Sequence, residues 1–509
     1  MKHIIIISIL SILYFTGKAQ SLLVEQKCSK IDSLITLWSN HKTFNGGLVI
    51  MQKGEIIYQK SAGFANFEKS ILNTETTPFN LASISKPLTA VAIMQLVERN
   101  KLKLTDLVVS YLPDFPYKSV TIEQLLSHTS GLPEIDQFEK IFTQENPFNI
   151  LSNLEIYEEL VSKKAKPLAE AGEKHFYNNL NYILLANLLE KVSKMSFSLY
   201  MKKNVFEKAN MNNSYIRERI SPNTARYFLP TFYDTTFVNT DSLKNQKIYT
   251  DYNLGGTYGD NNVITTLQDM VLFDKALKSG KLLSQSAINQ MYHPVRLKSG
   301  NFFFTGGTKT YTLGWNVNEK NFAGQFVAWH DGSLVGLTTI YFKNLTDDVT
   351  YIMYENKNTP LFFRRFLAVS NIMDGIKPAD VSLQKSLVRE FGFLLIQKGP
   401  HYATARFNEL KSNKDWYFQE HEMNELGYQL LLKSENQNYK ELSIEVFKMN
   451  TLLFPESPNV YDSYAEALMT LGLNEEAIIS YKKAILLNPK NEYAKTNLKK
   501  LEQLKGTNR

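Results

Sequence analysis

The stretch Phe79–Leu104, FNLASISKPLTAVAIMQLVERNKLKL, constrains this chain more than any other. From Leu88 to Val97 it is apolar except at Thr89 and Gln95. A helix that is apolar on nearly every side is buried, so the sequence predicts a helix through the core of a domain. Ser83 and Lys86 stand at its start, three residues apart and on one face of the first turn. Pro87 has no N–H to donate, which suits a helix start and not a helix middle. Backbone N–H groups at such a start have no partner within the helix and are free to donate to a developing negative charge. A serine there, beside a desolvated lysine, is a candidate nucleophile. Spacing alone does not select it. Ser39-x-x-Lys42, Ser382-x-x-Lys385 and Ser480-x-x-Lys483 share the pattern, and the ordinary reading of such a pair is a capping serine with a solvated lysine.

The surroundings of Ser83 do select it. Two β-branched apolar runs, Leu48–Met51 and Ile56–Tyr58, flank Lys53-Gly54 and read as a hairpin ahead of the helix. Strand after strand follows between Tyr311 and Tyr354: YTLGWNV, FVAWHDG, LTTIYF and VTYIMYEN. The early hairpin and these late strands are expected to share one antiparallel sheet, with helices packed on it and a helical insertion between. Thr121 caps a short helix in TIEQLLSHTSGLP, which Gly131 and Pro133 end. FYNNLNYILLANLLEKV, residues 176–192, is an irregular start followed by an apolar helix. Tyr227, Phe232 and Tyr233, in the polar stretch 205–250, are candidate cleft aromatics or simple surface packing.

Three short motifs occur in order: Ser83-x-x-Lys86, Tyr177-x-Asn179 and His330-x-Gly332. With NLASISKPLTAVAIMQLVE, LLSHTSGLP, FYNNLNYILLANLLE and LGW at 313–315, they make the stretch 24–375 resemble the serine β-lactamase-like hydrolases. That group holds class C β-lactamases, penicillin-binding DD-peptidases, esterases and D-aminopeptidases. The resemblance implies an α/β (α+β) domain with an antiparallel sheet flanked by helices and a helical subdomain. It implies Ser83 as nucleophile, with Lys86 and Tyr177 jointly as base and relay. Asn179 would orient Lys86 and bind substrate. His330 would polarise Tyr177 or meet a substrate carboxylate, and the Ser333 N–H, just past Gly332 on the substrate-binding strand, would complete an oxyanion hole with that of Ser83. His330 stands where many relatives carry a lysine; Lys278-Ser279-Gly280 and Lys298-Ser299-Gly300 imitate that element but precede LGW. Tyr354-x-Asn356 comes too late in the chain. His128 reads as structural.

Past Pro378 strands thin out and helical spacing takes over. Residues 424–457 and 458–491 align at 34 residues: Leu431 with Ala465, Ser443 with Ala477, Phe447 with Tyr481 and Pro455 with Pro489. These are the offsets of a tetratricopeptide (TPR) repeat, so 380–509 is expected to be an all-α repeat domain. It would dock a protein partner or pack on its own catalytic domain.

Residues 1–19 join a short basic start, a twelve-residue apolar run from Ile4 to Phe15 and the small residues Gly17 and Ala19. This is the pattern of a secretory signal cleaved after Ala19, so export to a periplasm or the medium is expected, with no membrane span in the mature chain. The net charge of +7 is mild for 509 residues and no basic block stands out, which argues against nucleic acid as a partner. The lone Cys28 excludes an intrachain disulfide, and the scattered histidines give no metal or cofactor pattern. An exported hydrolase acting on a small-molecule or peptide amide or ester is the first reading. A catalytically weak binding protein working through its repeats is the second.

Overall fold

The computed structural model describes residues 22–41, 43–134, 151–217, 224–230, 232, 237–239, 256–357, 361–378, 384–431 and 437–507. The expected export signal and Tyr233 lie outside them. Among the described residues no helix is long and apolar enough to cross a membrane. The chain divides into two compact units: 1–229 with 239–381, and 230–238 with 382–509.

In the first unit, helix α1 (22–40) precedes the hairpin β1 (Gly46–Gln52) and β2 (Glu55–Ala62). Lys53 and Gly54 both have positive φ at its turn, as a two-residue hairpin loop of the primed kind requires. Helices α2 (Ser85–Glu98) and α3 (Asn179–Ser193) follow. Then come β3 (Lys309–Tyr311), β4 (Asn316–Asn318), β5 (Val327–Leu334), β6 (Leu337–Asn344), β7 (Val349–Glu355) and helix α4 (Phe362–Met373). The strands form one sheet in the order β3-β4-β5-β6-β7-β1-β2, and each neighbouring pair is antiparallel. β1 joins the two halves of the sequence, pairing with β7 from Gly46↔Glu355 to Gln52↔Val349.

Both faces of the sheet are covered, which explains the continuous apolar run of β1. Leu48 and Ile50 face α1 and α4, packing with Ile31, Ile35, Trp38 and Phe366. Val49 and Met51 belong to the opposite core, with α2 and α3. This is the period-two alternation of a strand applied to two hydrophobic layers. Every residue of α2 from Ser85 to Leu96 is buried. Its two polar interruptions are satisfied: Thr89 Oγ1 donates to the Gly259 carbonyl at 2.8 Å and Gln95 Nε2 to that of Asn204 at 2.9 Å. The Leu-Gly-Trp turn packs on α2, and a Cβ on Gly314 would stand 2.6 Å from the Ala90 methyl.

The second unit is helical: α5 (Leu387–Lys398), α6 (Pro400–Leu410), α7 (Glu420–Leu431), α8 (Gln437–Leu453), α9 (Pro458–Thr470), α10 (Asn474–Leu487) and α11 (Glu492–Thr507). Phe232 is not a cleft aromatic. It is buried with Leu387, Phe391 and Leu426 in the core of this unit, where Gly392 leaves room for its main chain; a Cβ there would lie 1.9 Å from the Phe232 carbonyl oxygen. An aromatic in a polar loop looks the same in sequence whichever core takes it up.

Candidate active site

The serine turn is held from below by asparagines. Phe79–Asn80 pairs with Val263–Thr265, and Asn80 Oδ1 accepts the Ala82 N–H at 2.8 Å while its Nδ2 donates to Asn262 Oδ1 at 2.9 Å. Ala82 is forced to φ +50, a left-handed state that costs an L-residue about 1–2 kcal/mol. Strain of this kind persists where surrounding contacts over-determine it. Ala82–Ile84 forms a single 3₁₀ turn that runs into α2. Ser83 therefore sits just ahead of the α-helix, half-buried, and Lys86 is the second residue of α2, fully buried.

Lys86 Nζ donates to Ser83 Oγ at 2.9 Å and to the Asp260 carbonyl at 3.0 Å. Burial lowers the lysine pKa to about 8, against the opposing pull of the Asp260 and Asp331 carboxylates. Asp260 itself is buried and its carboxyl is pushed up, chiefly by desolvation. No short motif pointed to Asp260; it reaches the site through its main chain.

Tyr177 lies two residues before α3. The residue is 42% exposed, yet its hydroxyl end is desolvated and lies beside the Ser83 side chain. Desolvation of that end pushes the phenol above its ordinary value, and the Ser83 contact only partly offsets it. Lys86 Nζ lies 4.9 Å from the centre of the Tyr177 ring. Asn178 does the structural work of capping α3, accepting from the Leu180 N–H at 2.9 Å. Asn179 departs from the expectation: Lys86 is held by Ser83 and Asp260, and the buried Asn179 Oδ1 has no hydrogen-bond partner.

His330 stands on β5, buried, at the point where β4 has ended and the strand edge opens. Its Nδ1 donates to the Asp331 carbonyl at 2.7 Å, so Nε2 accepts from the Tyr311 hydroxyl at 3.1 Å. Its partner is thus Tyr311 and not Tyr177, whose ring centre is 6.2 Å away. Burial and then the nearby Lys86 lower the imidazole pKa to about 3, so the ring is neutral at pH 7. Gly332 passes directly over the serine turn: a Cβ would lie 2.5 Å from the Leu81 oxygen and 2.9 Å from the Ala82 Cβ. Ser333 follows, exposed. Tyr311 was missed by sequence reasoning because it and His330 belong to β3 and β5, with β4 between, and meet only in the folded sheet.

The competing motifs are elsewhere. Lys278 pairs with Asp348 and Lys298 with Glu170, both on the surface, and the Tyr354 hydroxyl is tied to Asn73 in the interior. Among the described residues no group of His, Cys, Asp or Glu is arranged to hold a metal ion.

A serine on a strained turn, in hydrogen-bond contact with a buried lysine and beside the open edge of an antiparallel sheet, defines the serine hydrolases of the β-lactamase and penicillin-binding type. The chain belongs to the beta-lactamase family, whose model matches residues 32–371. It is 33% identical over 356 residues to penicillin-binding protein 4* of Bacillus subtilis (strain 168), covering 68% of this chain and 75% of that protein. The putative penicillin-binding protein PbpX of the same organism is 29% identical over 288 residues, 56% of this chain and 65% of its own. Among solved structures, the octameric penicillin-binding protein homologue from Pyrococcus abyssi superposes with a TM-score of 0.58 at 24% identity, covering 69% of this chain and 78% of that one. A D-amino acid amidase from Ochrobactrum anthropi SV3 does so with 0.55 at 18% identity, covering 68% and 98%. At these identities the structural likenesses speak for the fold.

Proposed function

We propose that this protein is an exported serine hydrolase that cleaves an amide or ester through an acyl-serine intermediate. The observation that carries the reading is the 2.9 Å contact between Ser83 Oγ and a lysine whose pKa has fallen to about 8. Neutral Lys86 takes the Ser83 proton as Oγ bonds to the substrate carbonyl carbon. The N–H groups of Ser83 and Ser333 receive the resulting oxyanion; one such donor is worth about 10²–10³ in rate. As the carbonyl–leaving-group bond breaks, the departing nitrogen or oxygen takes a proton from the Tyr177 hydroxyl, which is restored from Lys86. Water then adds to the acyl carbon as neutral Lys86 takes its proton, and as the bond from that carbon to Oγ breaks Lys86 returns the proton to Ser83. The raised phenol pKa of Tyr177 supports the role of proton donor and relay over that of a resting phenolate base. The unpartnered Asn179 Oδ1 supports a contact with a substrate N–H.

A neutral His330 supplies no cation for a substrate carboxylate. That favours amides, D-amino-acid derivatives or esters over substrates selected by a free carboxylate. The names of the relatives, penicillin-binding proteins and a D-amino acid amidase, are compatible with this range. Export rests on the pattern of residues 1–19.

We read the domains as 24–375 catalytic and 380–509 a TPR module. Support comes from equivalent positions of the two 34-residue copies being buried alike: Leu431 with Ala465, Ser443 with Ala477 and Phe447 with Tyr481. The deciding experiment is labelling with a fluorophosphonate and a fluorescent penicillin, with Ser83→Ala as control. An adduct on Ser83 is expected; absence of an adduct with both probes refutes the hydrolase reading. Turnover of nitrocefin, a p-nitrophenyl ester and a D-alanyl-D-alanine peptide then ranks the substrate classes.

A further inference from the structure

One buried titratable side chain beside the site has no part in the steps above. His128, within LLSHTSGLP, is fully buried, and its backbone is left-handed at φ +57. That conformation lets a single residue hold the chain on both sides of Tyr177. The His128 carbonyl accepts the Phe176 N–H at 2.9 Å, and its Nδ1 accepts the Asn178 N–H at 3.1 Å. Asn181 Nδ2 is a second donor to the same nitrogen at 3.0 Å. The Asn181 amide is oriented by Ser130, whose hydroxyl donates to its Oδ1 at 2.6 Å. The imidazole also packs on the tyrosine, with ring centres 4.4 Å apart.

A backbone N–H can only donate, so Nδ1 must be bare and the neutral ring carries its proton on Nε2. Burial, with Lys86 nearby, holds the imidazole pKa well below its ordinary value, so this neutral form is the resting one. Tyr177 needs such a hold: it stands outside α3 and the residue is 42% exposed.

We propose that His128 is the positioning residue of Tyr177, a neutral Nε2–H imidazole that grips the main chain on either side of the tyrosine and so aims its hydroxyl at Ser83. The proposal rests on Tyr177 acting in the reaction. Displacing a reacting group by about 1 Å costs on the order of 10²-fold in rate.

The test uses the side-chain geometry of asparagine. Its Oδ1 occupies the steric place of imidazole Nδ1, and asparagine tolerates a left-handed backbone. His128→Asn therefore keeps the acceptor, whereas His128→Leu removes it. The measurement is the rate of Ser83 acylation by a p-nitrophenyl ester, in the full-length chain. His128→Leu is expected to lose about 10²-fold with KM little changed, and His128→Asn to recover most of that loss. Added to Tyr177→Phe, His128→Leu is expected to cost nothing further, because its effect runs through the tyrosine hydroxyl. Independent, multiplying losses would overturn the proposal. Full activity of Tyr177→Phe would instead refute the role given to Tyr177. Should His128→Leu fail to fold, ¹⁵N-histidine spectra of the unmodified protein decide the matter: a bare Nδ1 at pH 7 supports the clamp, and a protonated Nδ1 overturns it.

Discussion

The Tyr311 hydroxyl donates to His330 Nε2 across 3.1 Å, joining two strands that are not neighbours in the sheet. The other ring nitrogen is spent on the Asp331 carbonyl. A histidine with both nitrogens engaged and its pKa near 3 is a fixed polar wall of the site. Tyr311→Phe leaves the buried Nε2 without its donor. It should destabilise the protein by about 1–3 kcal/mol in urea unfolding. The pH–rate profile of the unmodified enzyme should show no inflection at the ordinary imidazole value of 6.5. An inflection there that His330→Asn abolishes would contradict the neutral assignment.

In the proposed mechanism Lys86 sets a different pH limb. Its proton must be absent for it to act as base, and its pKa is lowered to about 8. Below that value the neutral fraction falls tenfold per pH unit, so acylation rises with pH and levels off above about 8. Lys86→Arg cannot deprotonate and should lose about 10²–10⁴ of the acylation rate. The check is the pH dependence of p-nitrophenyl ester turnover in both proteins.

Gly332 is a matter of space. A methyl there would press on the Leu81 oxygen at 2.5 Å and Thr339 Oγ1 at 2.6 Å. Thr339 Oγ1 itself donates to the Leu81 carbonyl at 2.9 Å, so neither neighbour is free to move. Gly332→Ala should lose about 1–3 kcal/mol of stability. Ser83 labelling should slow by about 10²-fold as the Ser333 N–H shifts from the serine. Wild-type labelling kinetics would show that the strand does not complete the oxyanion site.

The pair Glu355–Arg365 ties β7 to α4. Both residues are buried, with Nε and Nη2 of the arginine 2.8 and 2.6 Å from the two carboxylate oxygens. Burial raises the Glu355 pKa, and the guanidinium opposes that rise. Arg365→Met removes both hydrogen bonds to the buried carboxylate and leaves only the more distant charge of Lys357, and should cost about 3–5 kcal/mol. Denaturant unfolding measures it; a change below 1 kcal/mol would mean that water reaches Glu355.

In the helical unit, Gly427 faces the Phe447 ring, and a Cβ would come within 2.6 Å of it. Gly427→Ala should weaken the packing of α7 on α8 by about 1–3 kcal/mol despite the better helix propensity of alanine. Hydrogen exchange should rise in both helices, while Ser83 labelling stays at the wild-type rate.

Local pattern was enough for much of this protein. The all-round apolar run of α2 has no soluble alternative to burial, and Pro87 places its start, so Ser83 and Lys86 were legible as a pair. Short apolar, β-branched runs separated by turn residues, in the early hairpin and again between Tyr311 and Tyr354, revealed a sheet, because such runs are properties of short segments. The helix of 179–193 was equally local.

Tertiary structure decided what no spacing encodes. Asp260 holds Lys86 through a carbonyl, Tyr311 occupies His330, and Phe232 joins the core of the helical unit. His128, in sequence one more histidine in a turn, bonds the main chain on both sides of Tyr177. Sequence alone determined which residues had to be buried and which could react, since hydrophobic period and residue chemistry are properties of short segments. The fold decided who meets whom and in which protonation state, because desolvation and hydrogen-bond partnership depend on groups brought together from distant parts of the chain.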